Sequence, residues 1–320
     1  MGTLLLLILG VVVMVLGMGG AVRAGRSGRP RTAPAVMAGI GLVIAVLGAL
    51  ALREPGLEPF LWAAISWAAV AAFVAGVSHR IAAWVTTPVP LSIPTTPAPT
   101  TTGGVILRVL GEVLLHRSLI RDRKYLWALS MLFHWSLVFI LLRHLRYFVY
   151  PVWGWIVVIE SLGIYGGYVM PICLLLVLMR RLYRPQQLYI SLWSDYVALI
   201  LLLAITGTGV LMADYLRVDL LKVKNFTYCL TTLTVPAVEA LPSVMFMLHF
   251  VLVLVLLVYF PMSKLMHFGG ATFSPSRAAR YDIKDRRYVN PWDPGPNVYE
   301  TAGANTAGTG SASGTGADGT

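Results

Sequence analysis

Four of the six histidines occupy positions where ionisable side chains are rare. His134 and His144 lie inside one long apolar stretch, roughly 125–148, and His249 and His267 lie within and at the end of another, roughly 243–266. Ionisable groups at membrane depth are costly and usually functional, and imidazole is the commonest metal-binding side chain. The two stretches are the fourth and seventh of seven apolar runs, an odd number apart, so as membrane-crossing helices they run antiparallel. His134 then meets His267 near one face, and His144 meets His249 near the other. The 18 residues from His249 to His267 make five full helical turns and about 27 Å of rise, so both would point the same way. His134 and His144 differ by about 15 Å of rise, which places the centres of the two pairs about 20 Å apart.

Two imidazoles on facing helices fit the axial ligation of one haem, the flat macrocycle lying between helices. Zinc would want four ligands at one centre, and each pair supplies two. The two cysteines, Cys173 and Cys229, are too few for a cysteine-rich metal or cluster site. A lone histidine in a bundle is more often satisfied by an interhelical hydrogen bond, but two pairs in antiparallel register argue for two haem b groups. With both axial positions filled, such a haem carries electrons and does not activate oxygen. His79, at a span end, and His116, in a basic amphipathic stretch, have no evident partner and read as interfacial.

Weaker signals surround these four. Arg143, Arg146 and Lys264 are candidate contacts for haem propionates, although snorkelling explains such cations equally well. Pro261 is placed to kink the seventh span just before His267. Gly163, Gly166, Gly167, Gly207 and Gly209 would permit close helix packing. Tyr147, Glu160, Asp214, Tyr215 and Arg217 gather near one set of span ends. Together they contain the donor and carboxylate that quinol oxidation requires, so they are the quinone candidates.

The elements that must hold these residues follow from composition. The 320 residues are 57% hydrophobic and 12% charged, with a mean hydropathy of +0.75; soluble domains carry about 25% charged residues. Spans of about 20 apolar residues are expected at 3–22, 34–52, 59–79, 125–148, 153–179, 190–213 and 243–266. The predicted fold is all-α, a polytopic transmembrane helix bundle of about seven spans with a dihaem four-helix core. Arg23, Arg26, Arg29 and Arg31 follow the first run and none precedes it, the pattern of a retained helix entering from outside. Alternate threading leaves Arg53, Arg143, Arg146, Arg217, Lys222 and Lys224 outside and the other nineteen of the 25 cations inside. This predicts a multi-pass protein of the cytoplasmic (inner) membrane with its N-terminus out and its C-terminus cytoplasmic. The net charge of +11 thus reads as topology, with no nucleic-acid partner.

Five segments are expected. Residues 1–84 are transmembrane helices without evident chemistry, and 85–124 form a cytoplasmic Pro/Thr-rich and amphipathic linker. Residues 125–268 form the haem-binding unit. Residues 269–300 are a cytoplasmic tail suited to docking a partner or the membrane surface, and the Gly/Ala/Thr/Ser-rich 301–320 should be disordered. No internal repeat of 20–50 residues is visible, which argues against a transporter.

The His-x9-His and His-x17-His spacing resembles the cytochrome b (gamma) subunit of respiratory nitrate reductase. The strings TTPVPLSIPTT, TTTGGVILRVLGEVLLHRSLIRD, FHWSLVFILLRHLRYF, RPQQLYISLWSDY, YFPMSKLMHFGGATFSPSR and YVNPWDPGP cover most of 85–296. They resemble a narrower branch, the DsrM family of dihaem cytochromes b from sulfite-reduction-associated DsrMKJOP complexes. The resemblance implies haem-iron ligation by His134, His144, His249 and His267. It also implies exchange with menaquinone or another quinone near the outer haem, and electron transfer to a cytoplasmic iron–sulfur subunit (DsrK-like) inside. Further DsrJ-, DsrO- and DsrP-like subunits and a role in sulfur metabolism, with the trisulfide of the carrier DsrC as end acceptor, come with it. The chain would then be the quinol-interacting electron-transfer subunit of an oxidoreductase complex. The alternatives are a gamma-type subunit of a nitrate or heterodisulfide reductase complex, or a haem-free membrane anchor. His116 falls in a matched string where the family is expected to carry an apolar or aromatic residue. The N-terminal spans and the C-terminal tail exceed the family's expected extent.

Overall fold

The architecture comes from a computed structural model that describes residues 54–87, 98–238, 241–273, 277 and 279–281, together with 42, 46 and 49. The expected first span, most of the second, the stretch 88–97 of the Pro/Thr-rich segment and the tail from 282 onward lie outside the described residues. Among the described residues the chain is helical, with no β-strand. Five helical stretches are long and apolar enough to cross a membrane: Glu58–Thr86, Lys124–Tyr147, Glu160–Tyr183, Trp193–Asp214 and Val244–Met262. Most of their side chains are not covered by the bundle itself, as expected where apolar surface faces lipid. The protein is an all-α membrane bundle.

In chain order the helices are α1 (Glu58–Thr86), α2 (Thr102–Leu115), α3 (Arg117–Asp122), α4 (Lys124–His144), α5 (Gly154–Val158) and α6 (Glu160–Tyr183). They continue with α7 (Pro185–Ile190), α8 (Trp193–Asp214), α9 (Leu220–Thr231), α10 (Val244–Tyr259) and α11 (His267–Phe273). Local chemistry sets many starts. Thr101 caps α2 through the Gly104 amide, Asp219 caps α9 through the amides of Leu221 and Lys222, and Ser243 caps α10 through the Phe246 amide.

Three boundaries differ from expectation. The run expected as one span at 153–179 divides at Ile159, whose ψ of 0° leaves helical geometry; Glu160 thereby becomes the first residue of α6, where the helix dipole favours a carboxylate. The amphipathic stretch 105–124 turns at His116, in the left-handed conformation (φ 46°, ψ 47°). The last span is not one continuous helix. It ends at Tyr259, passes through 3-10 turns at Phe260–Met262 and Lys264–Met266, and becomes extended at Ser263 (φ −98°, ψ 172°). Pro261 cannot donate a backbone hydrogen bond there.

Helices α4, α6, α8, α10 and α1 pack in that spatial order, each against the next. The direct contact between α4 and α10, which carry three of the histidines, is slight; α4 packs on α6, and α10 on α8 and α1. One core joins Leu61 and Trp62 of α1 to Val223 and Phe226 of α9 and to Phe246, Met247 and Val251 of α10; a second joins Met170 and Leu174 of α6 to Leu202 of α8. Helix α1, set apart by sequence as part of an N-terminal unit, is therefore packed on the histidine-bearing bundle. Its Trp67 indole donates to the Leu230 carbonyl at 3.0 Å, and its Arg80 Nε donates to the Pro261 carbonyl at 3.1 Å.

Candidate functional site

Each candidate ligand is oriented by a bond at Nδ1. His134 Nδ1 donates to the Ser130 carbonyl at 2.8 Å, and His144 Nδ1 donates to the Ile140 carbonyl at 2.7 Å, each one turn back on α4. His249 Nδ1 donates to Thr208 Oγ1 of α8 at 2.9 Å, while the Thr208 hydroxyl donates to the carbonyls of Ala204 and Ile205. His267 Nδ1 donates to the Lys264 carbonyl at 3.1 Å. With the proton on Nδ1, Nε2 of every ring keeps its lone pair for a metal. Such second-contact bonding fixes the tautomer and orientation of metal-binding histidines.

The rings of His134 and His267 lie 5.9 Å apart, centre to centre, with planes at 80°. His144 and His249 are electrostatic neighbours at the opposite end of α4. Because the last span is broken, His267 does not reach His134 by helical periodicity, as the count of five turns supposed. The irregular stretch 260–266 places it at the start of α11 instead. Among the described residues no group of three or more His, Cys, Asp or Glu side chains is arranged around one metal position, which leaves pairs as the available donor sets.

Several features fit two haem groups. A Cβ on Gly209 would stand in ordinary contact with the His249 ring, at 3.5 Å. Arg143 Nε, next to His144 in sequence, is buried without a hydrogen-bond partner, so a haem propionate would satisfy it. The Tyr196 hydroxyl, in the first turn of α8, is also buried and unpartnered; sequence carried no signal for it. Gly163 and Gly166 admit α4 to close range, since added Cβ atoms would meet Arg143 Cβ at 2.6 Å and the Ser136 carbonyl at 3.1 Å. Gly167 and Gly207, grouped with them in sequence, face open space.

The charged candidates are more committed than expected. Lys264 Nζ is paired with Asp195 Oδ1 at 2.8 Å, and Arg181 meets the same carboxylate at 3.2 Å. Arg146 is ion-paired with Glu160, and Arg143 Nη2 stands 3.9 Å from the same oxygen. Tyr147 lies between these groups, its ring centre 5.9 Å from the His144 ring and 5.9 Å from the Arg146 guanidinium. Tyr147, Glu160, Arg143, Arg146 and His144 thus form one neighbourhood. Asp214 accepts a hydrogen bond from Tyr168 at 2.8 Å, a residue the sequence had not singled out. Tyr215 and Arg217 are exposed on the loop after α8.

His79 is exposed on α1, but His116 is not isolated. Its ring stands 4.8 Å from that of His134 with planes at 82°, and its Nδ1 lies 3.1 Å from Ser130 Oγ. Burial pushes the His116 imidazole below its ordinary value and nearby His267 pushes it the same way, while Glu112 opposes both.

Residues 115–277, which contain all four candidate ligands, match the nitrate reductase gamma subunit family. The chain is 36% identical to the Hdr-like menaquinol oxidoreductase cytochrome b-like subunit of Archaeoglobus fulgidus, across 76% of this chain and 86% of that protein. It is 32% identical to the protein of the same name from Archaeoglobus profundus, across 75% of this chain and 84% of the relative. On the extent of these matches, and with a helical bundle that carries paired histidines, the chain belongs to the nitrate reductase gamma subunit family.

Proposed function

We propose that this chain is a membrane dihaem cytochrome b subunit, moving electrons between a quinone pool and a cytoplasmic iron–sulfur partner. The observation that carries this reading is that His134, His144, His249 and His267 are each oriented by a bond at Nδ1, with the His134 and His267 rings 5.9 Å apart. When bound, the haem irons supply one-electron exchange at two depths in the bilayer. The chain's own residues do the rest: Arg143 offers its free Nε to a propionate.

The quinone is read as menaquinone, the substrate class named in both relatives. Its site is placed at the His144/His249 end, the outer side by the distribution of cations. There Tyr147 and the ion-paired group of Arg143, Arg146 and Glu160 sit beside His144, with Asp214, Tyr215 and Arg217 at the same span ends. Quinol oxidation requires acceptors for two protons, and Glu160 and Asp214 are the carboxylates available. At the inner end, the basic corner of α2 and α3 and the C-terminal tail suit docking of the iron–sulfur subunit. We assign the complex to dissimilatory sulfur metabolism, with DsrK-like and further DsrJ-, DsrO- and DsrP-like partners. A heterodisulfide-reductase type of complex is the second reading, favoured by the Hdr-like wording of the relatives' names.

The deciding experiment is a dithionite-reduced minus oxidised spectrum of the purified complex, together with haem quantification and identification of the co-purifying subunits. A b-type α band at two haems per chain is the expected result. Its absence overturns the reading in favour of a haem-free anchor, and the iron–sulfur subunit recovered separates the two complexes.

A further inference from the structure

The corner between α2 and α3 is held in an unusual shape. His116 has φ 46°, in the left-handed region that non-glycine residues seldom adopt, and three bonds fasten it there. Glu112 Oε2 accepts from the Ser118 amide at 3.2 Å and from the Ser118 hydroxyl at 2.7 Å, and the Trp127 indole donates to the Leu115 carbonyl at 2.8 Å. The result is a third imidazole delivered to the His134/His267 pair from outside the spans.

Its hydrogen bonding says what the ring does there. His116 Nδ1 faces Ser130 Oγ at 3.1 Å, and the same oxygen lies 3.4 Å from His134 Nδ1, whose stronger bond is to the Ser130 carbonyl at 2.8 Å. His134 must donate from Nδ1 if Nε2 is to bind iron, so the serine oxygen can only accept from it. The serine hydroxyl hydrogen is then free to be donated to His116 Nδ1. The three groups form one chain in which each donor is polarised by the next acceptor. With Nδ1 accepting from the serine, the His116 ring carries its proton on Nε2 and offers no lone pair to a metal.

We propose that His116 is a positioning and tuning residue for the inner haem, acting on the axial ligand His134 through the Ser130 hydroxyl. The proposal rests on the reading of His134 as an iron ligand. Pulling hydrogen-bond density toward His116 makes the His134 ring a stronger donor, which favours ferric over ferrous iron and lowers the inner midpoint potential. No proton leaves the chain; only the polarisation of its hydrogen bonds matters.

The test is a spectroelectrochemical titration of the haem-loaded protein with four variants. His116→Phe removes the acceptor but keeps a ring, and Ser130→Ala removes the bridge but keeps both rings and the backbone acceptor. His116→Asn puts a carbonyl oxygen near the position of Nδ1 on a residue that tolerates the left-handed backbone. We expect His116→Phe and Ser130→Ala each to raise the inner midpoint and change its ferric low-spin EPR signal, with the outer haem unmoved. The double variant should shift no further than either single one, and His116→Asn should stay near the parent value. An inner midpoint unmoved in both single variants, with both haems present, overturns the inference alone. If His134→Ala removes no haem, the ligand reading and the inference fall together.

Discussion

The Asp195 carboxylate grips Lys264 across 69 residues of sequence, and Lys264 in turn holds His267. The ammonium is 2.8 Å from Asp195 Oδ1, the Lys264 carbonyl accepts from His267 Nδ1, and the Asp195 side chain is only 8% exposed. The same carboxylate accepts from the Leu192 amide at 3.0 Å and so closes the first turn of α8. One acid thus ties the start of a span to the short irregular segment that presents His267.

Asp195→Asn should weaken that tie. Losing a charge-assisted hydrogen bond costs about 1.5–3 kcal/mol, nearer the lower figure because Lys264 is 65% exposed. The expected outcome is partial loss of the inner haem with the outer one retained, read from haem stoichiometry and a two-component redox titration. Equal loss of both haems would contradict the local role of this carboxylate.

Ligand pairing is open to a direct check. His144→Ala and His249→Ala should each abolish the same haem, and His134→Ala and His267→Ala the other, as followed by the split α band at low temperature. Two outer-end variants that removed different haems would break the assignment.

Thr208→Val keeps the shape of the side chain and deletes the oxygen that orients His249 at 2.9 Å. Removing such a partner lowers metal affinity about 10–100-fold. Haem retention at the His144/His249 site, measured by competition with a haem-scavenging apoprotein, should fall accordingly while the inner site holds.

A methyl group at residue 166 would stand 3.1 Å from the Ser136 carbonyl and 3.3 Å from its Cα, both backbone atoms with no rotamer to yield. Gly166→Ala should therefore destabilise the α4–α6 contact by about 1–3 kcal/mol and lower the thermal midpoint in detergent. Gly167→Ala, with nothing within 4 Å of the added carbon, is the matched control and should not lower it.

If Glu160 takes a quinol proton, Glu160→Gln should slow quinol oxidation by roughly 10²–10⁴-fold. Both haem spectra and the rate of reduction by dithionite should stay as in the parent. A variant that oxidises quinol at the parent rate would move the proton acceptor elsewhere, with Asp214 the next to test.

What could be read before folding was whatever each segment signals by itself. Apolar runs announce spans, so Lys124–His144 and Trp193–Asp214 emerge close to their expected limits, and an imidazole inside such a run stands out against its neighbours. His116 gave no such signal, because its meeting with His134 depends on a left-handed corner that composition does not encode. The Lys264–Asp195 and Tyr168–Asp214 bonds join residues far apart in sequence, so no local pattern reveals them. The break at Ile159 was hidden for a different reason: hydropathy runs through it unchanged.

The interruption around Pro261 and Ser263 also sets how the two ligands of the last span depend on chain length. In an unbroken helix, one inserted residue between His249 and His267 would swing the second ring by about 100° and aim it away from its mate. Here the register ends at Tyr259, and the connecting stretch is anchored by its ends: Gly76 against the Pro261 ring, and Gly269 against Trp84. The position of His267 is set by these contacts and not by helical register with His249. Between His134 and His144 the register is unbroken, since α4 is continuous through both. One pair of histidines is spaced by a ruler, the other by a tether.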